Sequence, residues 1–190
     1  MLGIKSNAAE EFVKAGINVR VCRVNKRGHI EQAMSFPPFE FKQLINEDWE
    51  TSSFRARLET NRFFFVVFRE DHEGEWRLDR CLFWAMPANE IEGPAKACWD
   101  ETRKVIREGV KLSPYRDASG KLKVTNNLPG MADNPIVHVR PHTSKAAYRF
   151  ADGTEIGDIA RNAYELPDGR WMTRQSFWFN KGYLEHILGL

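Results

Sequence analysis

One short stretch, Arg62-Phe-Phe-Phe-Val-Val-Phe68, restricts the fold of this chain more than any other. A brief, continuously apolar run of aromatic and β-branched residues is the signature of a strand covered on both faces. Its surroundings supply partners. "EDHEGEW" reads as a hairpin turn, and "RLDRCLFWAM" as the returning strand. Residues 17–24, "INVRVCRV", alternate Ile17, Val19, Val21 and Val24 against Asn18, Arg20 and Arg23, which predicts a half-buried strand with an open polar face,. "NKRGH" is a turn, and "IEQAMSF" reads as the strand that returns from it.

Helical periods lie between these strands. After the Pro37-Pro38 break, Phe41, Leu44, Ile45 and Trp49 recur at helical spacing,. "PANEIEGPAKACWDETRKVIREGV" reads as a long helix with Ala95, Trp99, Thr102, Val105 and Ile106 on one side and Gly109 as its stop,. Residues 111–135, rich in Gly, Pro, Asn and Asp, read mostly as loop,. "IVHVRPH" is a strand closed by Pro141. The turns Asp152-Gly153 and Asp168-Gly169 flank "IGDIARNAYEL", and "RWMTRQSFWFN" leads into a helix over 181–188,. Interleaved strands and helices predict an α/β fold, a sheet with helices packed on it.

At 190 residues the chain fits a single domain, 1–190, without a repeat or an interdomain linker,. Its 13 Phe and 6 Trp point to large aromatic contacts in a core or on a binding face,. A formal charge of +2 requires any basic surface to be local,. The odd cysteines, Cys22, Cys81 and Cys98, match no zinc spacing and suit a reducing compartment,. Without a leader or a long apolar span, the expectation is a cytoplasmic protein with no membrane partner.

"AEEFVKAGINVRVCR" has the outline of a metal-dependent phosphodiesterase site with altered chemistry. Such a site sets carboxylates on Mg²⁺ beside a group that helps activate water. Residues two apart on one strand share a face, so Asn18 and Arg20 form a strand pair, with Glu11 arriving from a preceding turn,. Asn18 offers only a neutral carbonyl to a hard cation, and Arg20 holds phosphate but cannot accept a proton as lysine does. By spacing alone, the pattern E-x6-N-x-R reads first as the solvent face of a strand.

Longer blocks carry a resemblance. "LGIKSNAAEEFVKAG", "EQAMSFPPFEF" and above all "HVRPH … ELPDGRWMTRQSFWFNKGYL" resemble the family of the mismatch-repair nickase MutH and its GATC-cutting type II restriction relatives. "WETSSFRARLETNRFFFVVFRE", "LFWAMP" and "CWDETRKVIREGVKL" resemble the restriction branch, so the likeness runs from residue 2 to 188. It implies a restriction-endonuclease-like core, a mixed sheet flanked by helices, and recognition of double-stranded GATC sites. The family's catalytic motif is Asp-x6-Glu-x-Lys, and this chain departs from it at Glu11, Asn18 and Arg20. Only ten residues precede Glu11, so the N-terminal helical segment of active members is expected to be missing. The restriction members carry two tandem modules, one cutting and one with a degraded motif that binds DNA. The departures point to the second, acting beside a catalytic module in cis or in trans.

The resemblance places the HVRPH and LPDG…FW segments near the DNA-facing cleft. Arg140 and His142 share a strand face, and an arginine fork suits phosphate or guanine,. A zinc pair of His138 and His142 would be ~13 Å apart on a strand, too far for one ion, so no metal is expected and a hydrogen-bonded interior fits His138. Arg170, Arg174 and Gln175 are of the types that read G and A edges, against the alternative of ordinary exposed charges. Trp171, Phe177, Trp178 and Phe179 read as core before stacking platform. Arg20, Arg23, Lys26 and Arg27 form either a phosphate stripe or a solvated hairpin edge,.

Three functions compete. The first is a sequence-selective duplex-binding module without nuclease activity. The second is a working Mg²⁺ endonuclease that recruits another acid, Glu31 or Glu10. The third is an interaction domain that docks on a catalytic module.

Overall fold

The computed structural model describes residues 12 and 14–190. The alternating segment forms β1 (Ile17–Val24). In the turn after it, the Asn25 side chain accepts from the Arg27 and His29 amides, and Gly28 takes a φ of +83°,. A short β2 (Met34–Ser35) precedes the double proline, and α1 (Phe41–Leu44) stops early. A 3₁₀ turn at Trp49–Thr51 leads into α2 (Ser53–Thr60), whose cap Ser52 accepts from the Arg55 amide at 3.2 Å,. β3 (Arg62–Glu70) and β4 (Trp76–Trp84) form the expected hairpin.

The long helical segment runs through Ala88–Glu90 and a π-helical turn at Ile91–Ala95 into α3 (Lys96–Glu108). Pro94, which lacks the amide that a regular turn needs, lies in the π-helical turn,. Gly109 ends the helix at a φ of +98°. Then come β5 (Ser113–Arg116), β6 (Leu122–Thr125), β7 (Val137–Pro141), β8 (Tyr148–Arg149) and β9 (Glu155–Ile156). The chain continues through α4 (Ile159–Asn162), β10 (Ala163–Glu165), β11 (Trp171–Thr173), β12 (Gln175–Phe179) and α5 (Lys181–Leu188).

The fold is mixed α/β, with its strands divided among small sheets. The sheet β1-β3-β4 is itself mixed: β1 pairs parallel with β3, and β3 antiparallel with β4. A second sheet has the order β2-β12-β7, a third β10-β11-β8-β9, and β5-β6 is a separate hairpin. The first two pack on each other through aromatic rings. Phe63 of β3 meets Phe179 of β12 at 6.3 Å, and Phe54 of α2 stacks on Phe177 at 4.2 Å. Phe63, Phe65, Phe177 and Phe179 are at most 2% exposed, so truncating any of them to Ala should cost about 3–5 kcal/mol,.

Three expectations are corrected and one is refined. The segment returning from the 25–29 turn joins β12, not β1; with β1 it shares only a bridge at Val24–Ile30. The helix expected across 41–49 lasts one turn, while a helix not foreseen from the sequence covers 53–60. The segment 111–135 is mostly loop, but it also holds the β5-β6 hairpin, paired from Ser113–Thr125 to Arg116–Leu122. Finally, β3 is not fully covered on both faces. Its residues 63, 65 and 67 are buried, but the opposite face of the sheet leaves Val21, Leu78 and Phe83 at 49%, 60% and 63% exposure. Among the described residues, no helix is long and apolar enough to cross a membrane.

Candidate nucleic-acid interface

The parallel register of β1 on β3 decides which way its polar residues point. Asn18 lies beside Phe63, Arg20 beside Phe65 and Cys22 beside Val67, all on the inner side of the sheet,. The polar face expected to be open therefore turns inward, and Val21 faces out. Toward the end of β1 this inner face is core, with Cys22 and Val24 buried; toward its start, Asn18 and Arg20 are half-buried. The reason is divergence. β1 and the 30–35 segment meet at Val24–Ile30 and separate beyond Gln32, whose Oε1 still accepts from the Arg23 amide at 2.9 Å.

A cavity of about 260 Å³ fills the gap, lined by β1 residues 19–22, residues 32–35 and Leu184. Among the described residues, Arg20 is the only charged one in its lining. Among the described residues its guanidinium makes no hydrogen bond or ion pair, and its Nε is buried without an acceptor. Burial pulls the Arg20 pKa down from its ordinary value, with the neighbouring Cys22 opposing. Burial likewise pushes the Cys22 thiol up to about 11, so this sulfur is a neutral wall rather than a nucleophile,. A buried donor without an acceptor costs about 1–3 kcal/mol, more for a charged group, so an anion entering here would recover that loss.

These donors do not suit Mg²⁺. Asn18 supplies one neutral carbonyl, Arg20 a fixed cation two residues on, and the cavity lining holds no carboxylate among the described residues,. Glu11 lies outside the described residues, and Glu31 is exposed with its carbonyl facing Lys181 Nζ at 3.4 Å.

Beside this gap, β2-β12-β7 presents a polar face. Ser35 pairs with Trp178, Trp178 with His138, and Ser176 with Arg140. The guanidinium carbon of exposed Arg140 lies 4.6 Å from the centre of the Trp178 ring, and Trp178 Nε1 donates to the Arg140 carbonyl at 3.2 Å. The ring thus gives a cation–π contact to an arginine fork that makes no ion pair among the described residues,. His142, also exposed, lies 5.7 Å from the same ring, and its Nδ1 contacts Ser176 Oγ at 2.8 Å. His138 is instead interior: 6% exposed, it donates from Nδ1 to Asn180 Oδ1 at 2.6 Å.

Arg174 joins this face through its backbone, its carbonyl accepting from the His142 amide at 2.9 Å. Its guanidinium lies 4.6 Å over Tyr164, and among the described residues it makes no ion pair and its buried Nε has no partner. Three expected residues are not brought to this surface. Gln175 is 1% exposed, because it sits on the core side of β12, and its Nε2 donates to the Thr173 carbonyl. Arg170 is spent internally, gripping Asp168 Oδ2 and donating to the Val110 carbonyl at 2.6 Å. Arg23 faces the opposite side of β1, stacked 5.4 Å over Trp76. Lys26 pairs with Glu70 at 3.8 Å.

Sequence reasoning missed Ser176 and Trp178 as parts of this face. Trp178 reads as core in an aromatic run, but strand alternation turns Phe177 and Phe179 inward and Trp178 outward,. That period was legible; which parity faced out was not.

No protein-family model matches the chain. Over 189 residues it is 37% identical to the type II restriction enzyme Sau3AI of Staphylococcus aureus, an alignment covering 93% of this chain and 39% of that enzyme. Nearly all of this chain is thus similar to well under half of a restriction enzyme.

Proposed function

We propose that this chain is a sequence-selective, duplex-binding module of a type II restriction endonuclease, built on a MutH-like, restriction-endonuclease-like core, which grips GATC-type DNA without cutting it. One observation supports this reading: the cavity beside β1 is furnished by an unpaired, partly buried Arg20 and by no carboxylate among the described residues. Such a pocket stabilises a phosphate, and its described residues give a hydrolytic metal no carboxylate to bind,.

Arg20 takes a backbone phosphate at the mouth of the β1-β2 gap. Arg140, over the Trp178 ring, and His142, held by Ser176, lie along the neighbouring sheet face and extend the contact. Arg174, stacked on Tyr164 with its fork free, is the base reader of the set, suited to a guanine edge,. The GATC preference rests on the likeness of the HVRPH and LPDG…FW segments to that family, and regulation of a cutting module in cis or in trans on the tandem arrangement of its restriction members.

Incubation of the purified chain with a GATC-containing plasmid and Mg²⁺ or Mn²⁺ tests the non-cutting part. Intact plasmid is expected; cleavage abolished by Glu11→Ala overturns it.

A second reading has its own observation. The outward face of β1-β3-β4 exposes Val21, Leu78 and Phe83, an apolar patch unusual for a free surface,. Its occupant would be a catalytic module, since the matched restriction enzyme holds 61% of its length outside the alignment (100% less 39%). Co-purification with such a module at high salt, lost on Phe83→Asp, supports this role; lack of co-purification removes it.

A further inference from the structure

A second cleft lies beyond Arg174 on the side away from His142. The Arg174 amide donates to the Asn162 carbonyl at 2.9 Å, while its carbonyl accepts from His142. Neighbouring backbones paired in this way lie roughly 5 Å apart, so His142, Arg174 and Asn162 are consecutive steps along one surface. Asn162 then lines a cavity of about 210 Å³ with Ser144, Lys145, Asp158 and Arg161. Lys145 and Arg161 are exposed, and among the described residues neither side chain makes an ion pair or hydrogen bond. The acid in the cleft, Asp158, turns one oxygen to the Arg161 amide as the cap of α4. Two cations without side-chain partners among the described residues therefore share the cleft with one carboxylate, one of whose oxygens caps α4.

The walls of the cleft are tightly fixed. Thr173 Oγ1 accepts from the Ala147 amide at 2.9 Å and donates to the Ala147 carbonyl at 3.0 Å. Thr143 Oγ1 donates to the Lys145 carbonyl at 2.7 Å, closing the turn that presents Lys145. On the other wall, Gly157, at a φ of +72°, approaches Ala146 so closely that a Cβ would lie 2.1 Å from the Ala146 carbonyl oxygen. Only glycine allows the 155–158 loop to press against the 146–147 backbone, which keeps Asp158 and Arg161 in the same cleft as Lys145,. A rigid cleft with two uncommitted cations is prepared for an anion rather than for general solubility.

We infer that this cleft is a second phosphate-binding point, at which Lys145 and Arg161 hold a backbone phosphate of the bound duplex, next along the surface from His142 and Arg174. The inference rests on the proposed duplex-binding function and extends the footprint to residues outside the HVRPH and LPDG…FW segments. Phosphates recur every ~3.4 Å of helix axis along one DNA strand, so a surface of this length can engage more than one of them.

Fluorescence anisotropy on the full chain tests it, comparing Lys145→Ala/Arg161→Ala with the unaltered protein on GATC and scrambled duplexes over a range of salt. Lys121→Ala/Lys123→Ala on the β5-β6 hairpin removes the same charge elsewhere. The cleft variant is expected to bind both duplexes about tenfold more weakly, with a log–log salt slope shallower by ~0.9 per phosphate lost and an unchanged preference for GATC. If the unaltered chain binds while the cleft variant matches it or the hairpin control, this inference alone fails. If the unaltered chain binds no duplex, both readings fail. Inorganic phosphate at constant ionic strength is a further arm: millimolar displacement of the duplex that depends on Lys145 and Arg161 would make the cleft a free-anion site and overturn the assignment to duplex DNA.

Discussion

His142 Nδ1 lies 2.8 Å from the Ser176 hydroxyl, and that hydroxyl gives its own proton to the Phe36 carbonyl at 2.7 Å. Ser176 must therefore accept from His142, which places the ring proton on Nδ1 and leaves Nε2 turned to the outer face. Ser176 is 0% exposed, so Ser176→Ala leaves a buried carbonyl unpaired and should cost about 1–3 kcal/mol, measured by urea denaturation,. It should also weaken duplex binding less than His142→Ala does, because it frees the ring without removing it.

Arg20 predicts an opposition between stability and binding. An unpaired, partly buried cation is unfavourable in the free protein, so Arg20→Met should raise stability by about 1 kcal/mol. The same change should weaken cognate and scrambled duplexes alike by about tenfold, through loss of one charge-assisted contact. Denaturation and anisotropy on one preparation check both signs. A variant that loses stability and keeps its affinity would show that Arg20 is structural.

Arg174 and Arg23 should separate cleanly. Arg174→Ala should cost about 1–3 kcal/mol at a GATC duplex and relax base preference, as loss of a base contact does. Arg23→Ala, on the opposite side of β1 over Trp76, should leave both affinity and salt slope nearly unchanged. Titrations of the two variants against cognate and single-mismatch duplexes distinguish these outcomes.

His138 gives stability a pH dependence. Burial holds its imidazole below the ordinary value of 6.5; the Asn180 hydrogen bond opposes this and nearby Arg140 reinforces it. The unfolded chain then takes up a proton that the folded chain refuses. The contribution is complete above about pH 6.5 and is lost as the pH falls toward the folded value, at no more than about 1.4 kcal/mol per pH unit,. His138→Gln keeps a donor for Asn180 and should flatten denaturation midpoints between pH 7.5 and 5.5, values chosen to bracket roughly the ordinary pKa.

The sequence carried the local signals and left out the tertiary choices. Asp152-Gly153 and Asp168-Gly169 are turns, with both glycines at positive φ, because an Asp-Gly pair dictates that geometry wherever it stands,. Gly109 stops its helix for the same local reason. Alternation in β1 established a strand but not which face was inner; the parallel pairing with β3 decided that, and partner choice is a long-range property,. Arg170 and Arg174 look alike four residues apart. Asp168 and Val110 hold the first, and among the described residues nothing ionic holds the second. The Lys145–Arg161 cleft joins residues sixteen apart (161 less 145) through the tight approach at Gly157, which no local pattern announces.

Binding of a GATC duplex and of a scrambled duplex by the purified chain, titrated with and without Mg²⁺ at moderate salt, bears most directly on the proposed role. The account predicts tighter binding of the GATC duplex, an unchanged preference when the metal is removed, and intact DNA throughout. Equal affinity for the two sequences, or a GATC complex that forms only with Mg²⁺ and ends in cleaved strands, would contradict it.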